Sequence, residues 1–281
     1  MEIKKDINKL VIDNYLRLKP SLFFSPAFLL ITIVLFLYNQ DALSTDAYIR
    51  IQKESFFFIN YYLGQYPNLQ FNLTQLGDDL IFLPLLSISI IYAPKIWESL
   101  ISSLLLSLIF SCLLKKIFAV PRPAAVFDHN SFIIVGNTLS GHTSLPSGHS
   151  ITIFAILTIL LFAFMPSKTG YGILWSFFII LTGSVLVFTR VGVGAHYPLD
   201  VIIGAIIGYI LGLTGIFISR KYKVWGWINN TKYYPIFILL FLICGISLIN
   251  RIMIENLTIY YFSLVFLTIS LYKIITIYVK K

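Results

Sequence analysis

The stretch 189–218 reads TRVGVGAHYPLDVIIGAIIGYILGLTGIFI. From Leu199 onward it is an apolar run interrupted only by Asp200. A helix that crosses a bilayer needs about 20 mostly apolar residues, and this run has that length. Just ahead of it stand Thr189, Arg190 and His196, with Asp200 in its first turn. Ionisable residues within membrane segments are costly, and they mark functional sites when they occur together. The stretch therefore reads as a membrane helix that carries chemistry at its entrance.

Similar apolar runs cover 22–38, 76–92, 96–114, 150–165, 171–188, 234–249 and 257–278. With 199–218 they predict an all-α, polytopic transmembrane helical bundle. Composition agrees. Hydrophobic residues make up 58% of the 281 positions and charged residues 12%, whereas a soluble domain carries about 25% charged residues. The formal charge of +9 does not indicate nucleic-acid binding, because the cations sit between apolar runs, as membrane proteins place them. Cys112 and Cys244 each fall inside an apolar run and read as small buried hydrophobes, not as a disulfide.

The expected organisation is one membrane domain over 1–281, with a basic cytoplasmic leader (1–21), a core (22–218) and a C-terminal helical pair (219–281). The leader is long for a signal peptide and no Ala-x-Ala site follows, so the run 22–38 reads as a retained helix. Two connections are long, 39–75 and 115–149. The first carries Phe56, Phe57, Phe58, Tyr61 and Tyr62, which read as an aromatic belt at headgroup level. Basic residues cluster in the leader, at 220–223 and at Lys280 and Lys281. Positive residues accumulate on the cytoplasmic side, so both termini are expected there. The loops 115–149 and 189–198 then share the opposite, external face of an inner membrane.

Those two loops hold three clusters: Lys115 with Arg122-Pro123, then Pro146-Ser147-Gly148-His149, then Thr189-Arg190 with His196 and Asp200. Arginine grips phosphate through a planar fork and lysine as a point charge. Three such cations would neutralise a phosphoryl group and its transition state. Gly148 permits close backbone approach, and Ser147 and Ser150 are candidate N-caps of the following helix, whose free N–H groups attract anions. His196 and Asp200 share a face if the turn there is helical. A carboxylate on one imidazole nitrogen then leaves the other free to attack, and His149 can act as the acid for the leaving oxygen. No metal-ligand pattern accompanies them, so neither metal nor cofactor is expected.

Lys115-x6-Arg122-Pro123, Pro146-Ser147-Gly148-His149 and Thr189-Arg190-x5-His196-x3-Asp200, in that order, resemble the three-part signature of the type 2 phosphatidic acid phosphatase superfamily. The resemblance implies an all-helical six-span core, here with about two extra C-terminal spans. It implies His196 as a nucleophile that forms a phosphohistidine, Asp200 orienting it and His149 protonating the leaving group. Lys115, Arg122, Arg190, Ser147, Gly148 and Thr189 would hold the phosphoryl oxygens. Thr189 departs from the serine usual in the family but keeps a hydroxyl.

The expected function is a phosphatase acting on a lipid: phosphatidic acid, phosphatidylglycerol phosphate, a polyprenyl pyrophosphate or lipid A. Alternatives are a phosphotransferase using the same phosphohistidine, and a non-enzymatic membrane protein with a phosphate-binding vestibule. The partners expected are the phosphorylated lipid and the bilayer. Lys116 reads as a snorkelling anchor. Asp78, Asp79 and Glu98 read as helix-dipole partners, and Asp128, His129 and His142 as solvent-facing loop residues.

Overall fold

The structure is a computed structural model that describes residues 2–280, with side chains from Asp6 onward. Its helices are α1 (Glu2–Leu16), α2 (Phe24–Asn39), α3 (Thr45–Gly64), α4 (Pro67–Thr74), α5 (Asp79–Leu86), α6 (Ser89–Tyr92), α7 (Pro94–Phe118), α8 (Pro123–Val126), α9 (Gly148–Ala163), α10 (Thr169–Gly192), α11 (Pro198–Lys221), α12 (Tyr234–Glu255) and α13 (Thr258–Val279). No strand forms among the described residues. Six of the described helical segments are long and apolar enough to cross a membrane: those containing α2, α7, α10, α11, α12 and α13. The protein is an integral membrane protein.

Two expected spans depart from full length. The run 76–92 is broken into α5 and α6. Pro84 has no N–H for the helical ladder, and the Ser87 hydroxyl takes the Pro84 carbonyl at 2.5 Å. The run beginning at 150 is α9, which has 16 residues. Conversely, the expected loop 39–75 is mostly helical. It contains α3, a 20-residue helix too polar to register as a span.

The bundle centres on α9 and α11. Their backbones approach closely because α11 presents Gly204, Gly208 and Gly212 to α9. A Cβ added at Gly208 would lie 2.4 Å from the Ile151 carbonyl oxygen, and one at Gly204 would lie 2.7 Å from that of Ser147. Small residues at helix crossings permit this packing in membranes. Here they hold the start of α9 beside the start of α11, where the Ser147 N–H donates to the Asp200 carbonyl at 3.1 Å.

Opposite the motif end, α1 closes the bundle. Asn14 donates to the Ala163 and Met165 carbonyls, and Arg220 donates to the Leu18 carbonyl. Both α1 and the end of α13 lie at the far end from the three clusters. The C-terminal pair packs on α5, α6 and α7 through a separate apolar core that includes Ile81, Trp97, Phe241 and Leu267.

Some smaller expectations need correction. Cys244 is buried, but Cys112 is exposed on the outer surface of α7. Glu98 is not merely a dipole partner: it is buried, pairs with Lys95 at 2.6 Å and accepts from Asn229 at 2.9 Å. Asp78 does cap its helix, accepting from the Leu80 N–H, and it also pairs with Arg251 at 2.7 Å.

Candidate active site

The three clusters converge where α7 ends, α9 and α11 begin, and α10 ends. Lys115 lies in the last turn of α7. Arg122 follows in the connection to α8, its backbone N–H tied to the Gly141 carbonyl at 2.8 Å. Arg190 lies in the last turn of α10. The Arg190 carbonyl accepts from the N–H groups of Ala195 and His196. Gly194, at φ +77°, makes the left-handed turn that this doubling back requires.

His196 is almost wholly buried, and its two nitrogens face different groups. Nε2 lies 3.4 Å from Nη1 of Arg122. Nδ1 lies 3.5 Å from both Oδ2 of Asp200 and the Ser144 hydroxyl. A guanidinium has only donors, so Nε2 is the acceptor and the proton sits on Nδ1, toward the carboxylate. Burial, then the charges of Arg122, Arg190 and Lys115, hold the imidazole well below its ordinary pKa. The ring is therefore neutral, with a lone pair on Nε2.

Asp200 is fully buried and held by three donors. The Tyr48 hydroxyl donates to Oδ1 at 2.8 Å, the Ser144 hydroxyl to Oδ2 at 2.6 Å and the Tyr197 N–H to Oδ2 at 3.0 Å. Such bonds favour the ionised carboxylate and fix its direction. The Tyr197 bond is also half of a capping box that opens α11.

Of the two candidate caps for α9, Ser147 is the one used. Its hydroxyl accepts from the Ser150 N–H at 3.4 Å and the Ser150 hydroxyl at 3.0 Å, leaving its own proton to offer to an anion. Gly148 brings the backbone against Lys115: a Cβ there would lie 3.3 Å from the Lys115 ammonium. Arg190 is 7% exposed. Its Nη1 donates to the Thr74 hydroxyl at 2.9 Å, while its Nε is buried with no partner among the described residues. An orphaned buried donor is costly, and a phosphoryl oxygen would satisfy it. Thr189 is brought alongside, but its hydroxyl donates back to the Leu186 carbonyl at 2.5 Å. A pocket of about 300 Å³ adjoins this set: His149, Arg190 and Ala195 stand in its wall with Thr74, Gln75 and Asn137, while Lys115, Arg122 and His196 lie behind that wall.

Of the loop residues set aside, His142 is exposed. Asp128 caps a short 3-10 turn through the Asn130 N–H, and His129 bonds the Ala124 carbonyl. Among the described residues, no three His, Cys, Asp or Glu side chains gather as a metal-ligand set.

Several positioning residues escaped the sequence reading. Tyr48 on α3 holds Asp200. Gln52, one turn on, accepts from the Leu199 N–H at 2.7 Å. Asn60 exchanges bonds with Ile133 and donates to the Val191 and Gly192 carbonyls. Gly77 lies under His149: a Cβ there would fall 2.5 Å from that of the histidine. The signal for the α3 residues is their spacing, since Tyr48, Gln52, Phe56 and Asn60 recur every fourth position and all are buried. Gly77→Ala is expected to push His149 out of line and lower kcat on the order of tenfold to a hundredfold. Steady-state kinetics beside a melting curve of the same variant check this: kcat should fall much further than stability.

Residues 97–227 match the family model described as the PAP2 superfamily. Among curated proteins, the chain is 33% identical over 134 residues to a lipid A 1-phosphatase of Rhizobium etli, covering 46% of this chain and 53% of that one. It is 32% identical to a lipid A 1-phosphatase of Rhizobium johnstonii, with 46% and 51% covered. The chain thus spans about half the length of the curated relatives it matches. Among solved structures, it is similar to Aquifex aeolicus LpxE, at 28% identity and a TM-score of 0.49, covering 61% of this chain and 96% of that one.

Proposed function

We propose that this chain is a membrane lipid phosphatase that works through a phosphohistidine on His196. The observation that carries the reading is the division of His196 between two environments, with Nδ1 toward a fixed carboxylate and Nε2 facing cations. Phosphate entering the pocket draws the Arg122 guanidinium off Nε2 and onto phosphoryl oxygens, beside Arg190, Lys115, the Ser147 hydroxyl and the first N–H groups of α9. The Nε2 lone pair then attacks phosphorus, and the bond from phosphorus to the ester oxygen breaks. His149 gives that oxygen its proton, the bound phosphate offsetting the cations around the ring. In the second step water attacks the same phosphorus and His149 takes its proton. The P–N bond breaks, and its electron pair returns to Nε2.

The substrate class proposed is a phosphomonoester or pyrophosphate of a lipid, and the relatives named for lipid A support a lipid over a soluble ester. Purified protein presented with phosphatidic acid, phosphatidylglycerol phosphate, a polyprenyl pyrophosphate and lipid A in mixed micelles tests this. Release of inorganic phosphate from at least one of them is expected, and release from none would sink the reading.

The proposed orientation puts the site outside and both termini in the cytoplasm, the arrangement the basic residues favour. With Cys112 and Cys244 replaced by alanine, single cysteines at His142 and Lys168 report on it. An impermeant thiol reagent applied to intact cells is expected to label position 142 and spare 168. The reverse pattern would put the chemistry in the cytoplasm.

A further inference from the structure

One wall of the pocket comes from outside residues 97–227. Arg251 and Glu255, at the C-terminal end of α12, line the same cavity as His149 and Arg190. Lying four residues apart, they share a helix face. Both are braced. Nη2 of Arg251 donates to Oδ2 of Asp78 at 2.7 Å, and its guanidinium lies 6.0 Å from the Tyr260 ring centroid. Glu255 accepts from the Tyr260 hydroxyl. Asp78 caps α5 and directly follows Gly77, which lies under His149, so this wall is tied to the floor of the site.

The charges here differ in kind from those deeper in. Around His196 the ionised groups are mostly cations. In this wall the Arg251 guanidinium is paired with the Asp78 carboxylate, and the Glu255 carboxylate stands in the same lining. A second phosphate lodged there would meet two carboxylates and a cation already engaged. A hydroxyl fits, since it donates to a carboxylate and accepts from a guanidinium. Thr74, Gln75 and Asn137 in the same wall offer further groups of both senses. In the mechanism proposed above the leaving oxygen takes its proton from His149, which lines the same pocket as these side chains, so the part of the substrate attached to that oxygen would pass them.

We propose that Arg251 and Glu255 are specificity-determining residues that bind the hydroxyls of a polyol or sugar headgroup carrying the scissile phosphate. They favour such lipids over those whose phosphate sits directly on a hydrocarbon chain. The proposal rests on the phosphatase reading above and gives the C-terminal helix pair its role.

The test compares phosphatidylglycerol phosphate with a polyprenyl phosphate, using full-length wild type, Arg251→Gln and Glu255→Ala in mixed micelles. Wild type is expected to prefer the hydroxyl-bearing lipid. Each variant should raise its KM and lower the ratio of kcat/KM between the two lipids on the order of tenfold, the effect of losing a hydrogen bond to a charged group. Arg251→Gln leaves Asp78 without its ion pair and risks misfolding; Glu255→Ala keeps that pair and decides the matter alone. An equal fall on both lipids would make these residues general supports of the site and overturn the proposal. So would an unchanged ratio, or a wild type that prefers the polyprenyl substrate. A wild type that releases phosphate from neither of these lipids nor from any lipid of the panel above would remove the phosphatase reading itself and this proposal with it.

Discussion

His196→Ala is expected to abolish turnover and to leave no acid-labile phosphoenzyme in a single-turnover experiment with labelled lipid. The variant removes the Nε2 that attacks in the proposed mechanism, and what that mechanism retains is transition-state stabilisation by the cations and the start of α9. His149→Ala is expected to behave differently. It removes the acid, so an alkoxide must depart unassisted, and turnover of a natural lipid falls by about 10²–10⁴-fold. With an ester of a nitrophenol, whose oxygen leaves without a proton, the same variant should still accumulate phosphohistidine, because water then lacks its base in the second step. The asymmetry follows from the surroundings of the two rings. His196 faces Asp200, itself held by Tyr48, Ser144 and the Tyr197 N–H, whereas His149 lines the open pocket. Label appearing on the His196→Ala variant would reverse the assignment.

Arg190→Lys is expected to cost on the order of 10²-fold or more in kcat, although charge is preserved. The guanidinium has separate nitrogens for separate tasks: Nη1 is spent on Thr74 at 2.9 Å, and Nε is buried and free. An ammonium is one point with rotatable donors. It can keep Thr74 or meet the phosphoryl group, but it cannot hold both in one plane. Thr189→Ser, one residue away, should be nearly silent, since a serine hydroxyl can make the same bond to the Leu186 carbonyl. Measuring kcat and KM for both variants against one lipid decides it. Equal rates for wild type and Arg190→Lys would reduce Arg190 to a membrane anchor.

The sequence reveals this site unevenly, for physical reasons. Lys115, Arg122, His149, Arg190, His196 and Asp200 each interrupt an apolar run with a charge or an imidazole, and such breaks are conspicuous in a chain where only 12% of residues are charged. Tyr48, Gln52 and Asn60 were concealed because α3 buries polar groups. Its inward face alternates amide and aromatic side chains, so it reads neither as an apolar stripe nor as a motif, and its aromatics looked like a belt. Phe56, far from lying in a headgroup layer, is fully buried and stacks on Phe127 at 5.8 Å. The run 76–92 read as one span because hydropathy counts Pro84 as only mildly unfavourable, while backbone hydrogen bonding loses an N–H there, two residues before α5 ends. Arg251 passed for an ordinary cation, since nothing in its neighbourhood along the chain reveals that Asp78 and His149 are its neighbours in space.

The shortness of α9 has a consequence for the supply of reagents. Its 16 residues extend about 24 Å, against a hydrocarbon layer of about 30 Å. Asn14 closes its far end against protein, and its near end carries the N–H groups proposed to bind phosphate. In the proposed arrangement the start of α9 would lie below the surface of the bilayer, with irregular backbone tolerated there because protein surrounds it. A lipid reaches it by letting its phosphate settle, with its tails still among their neighbours. Water, by contrast, would have to enter the same pocket after the leaving group has left it. In the proposed mechanism, dephosphorylation of His196 then depends on how quickly the pocket rewets. Any alcohol that lingers in it competes for the phosphoryl group at its concentration inside the pocket, not its concentration in the medium.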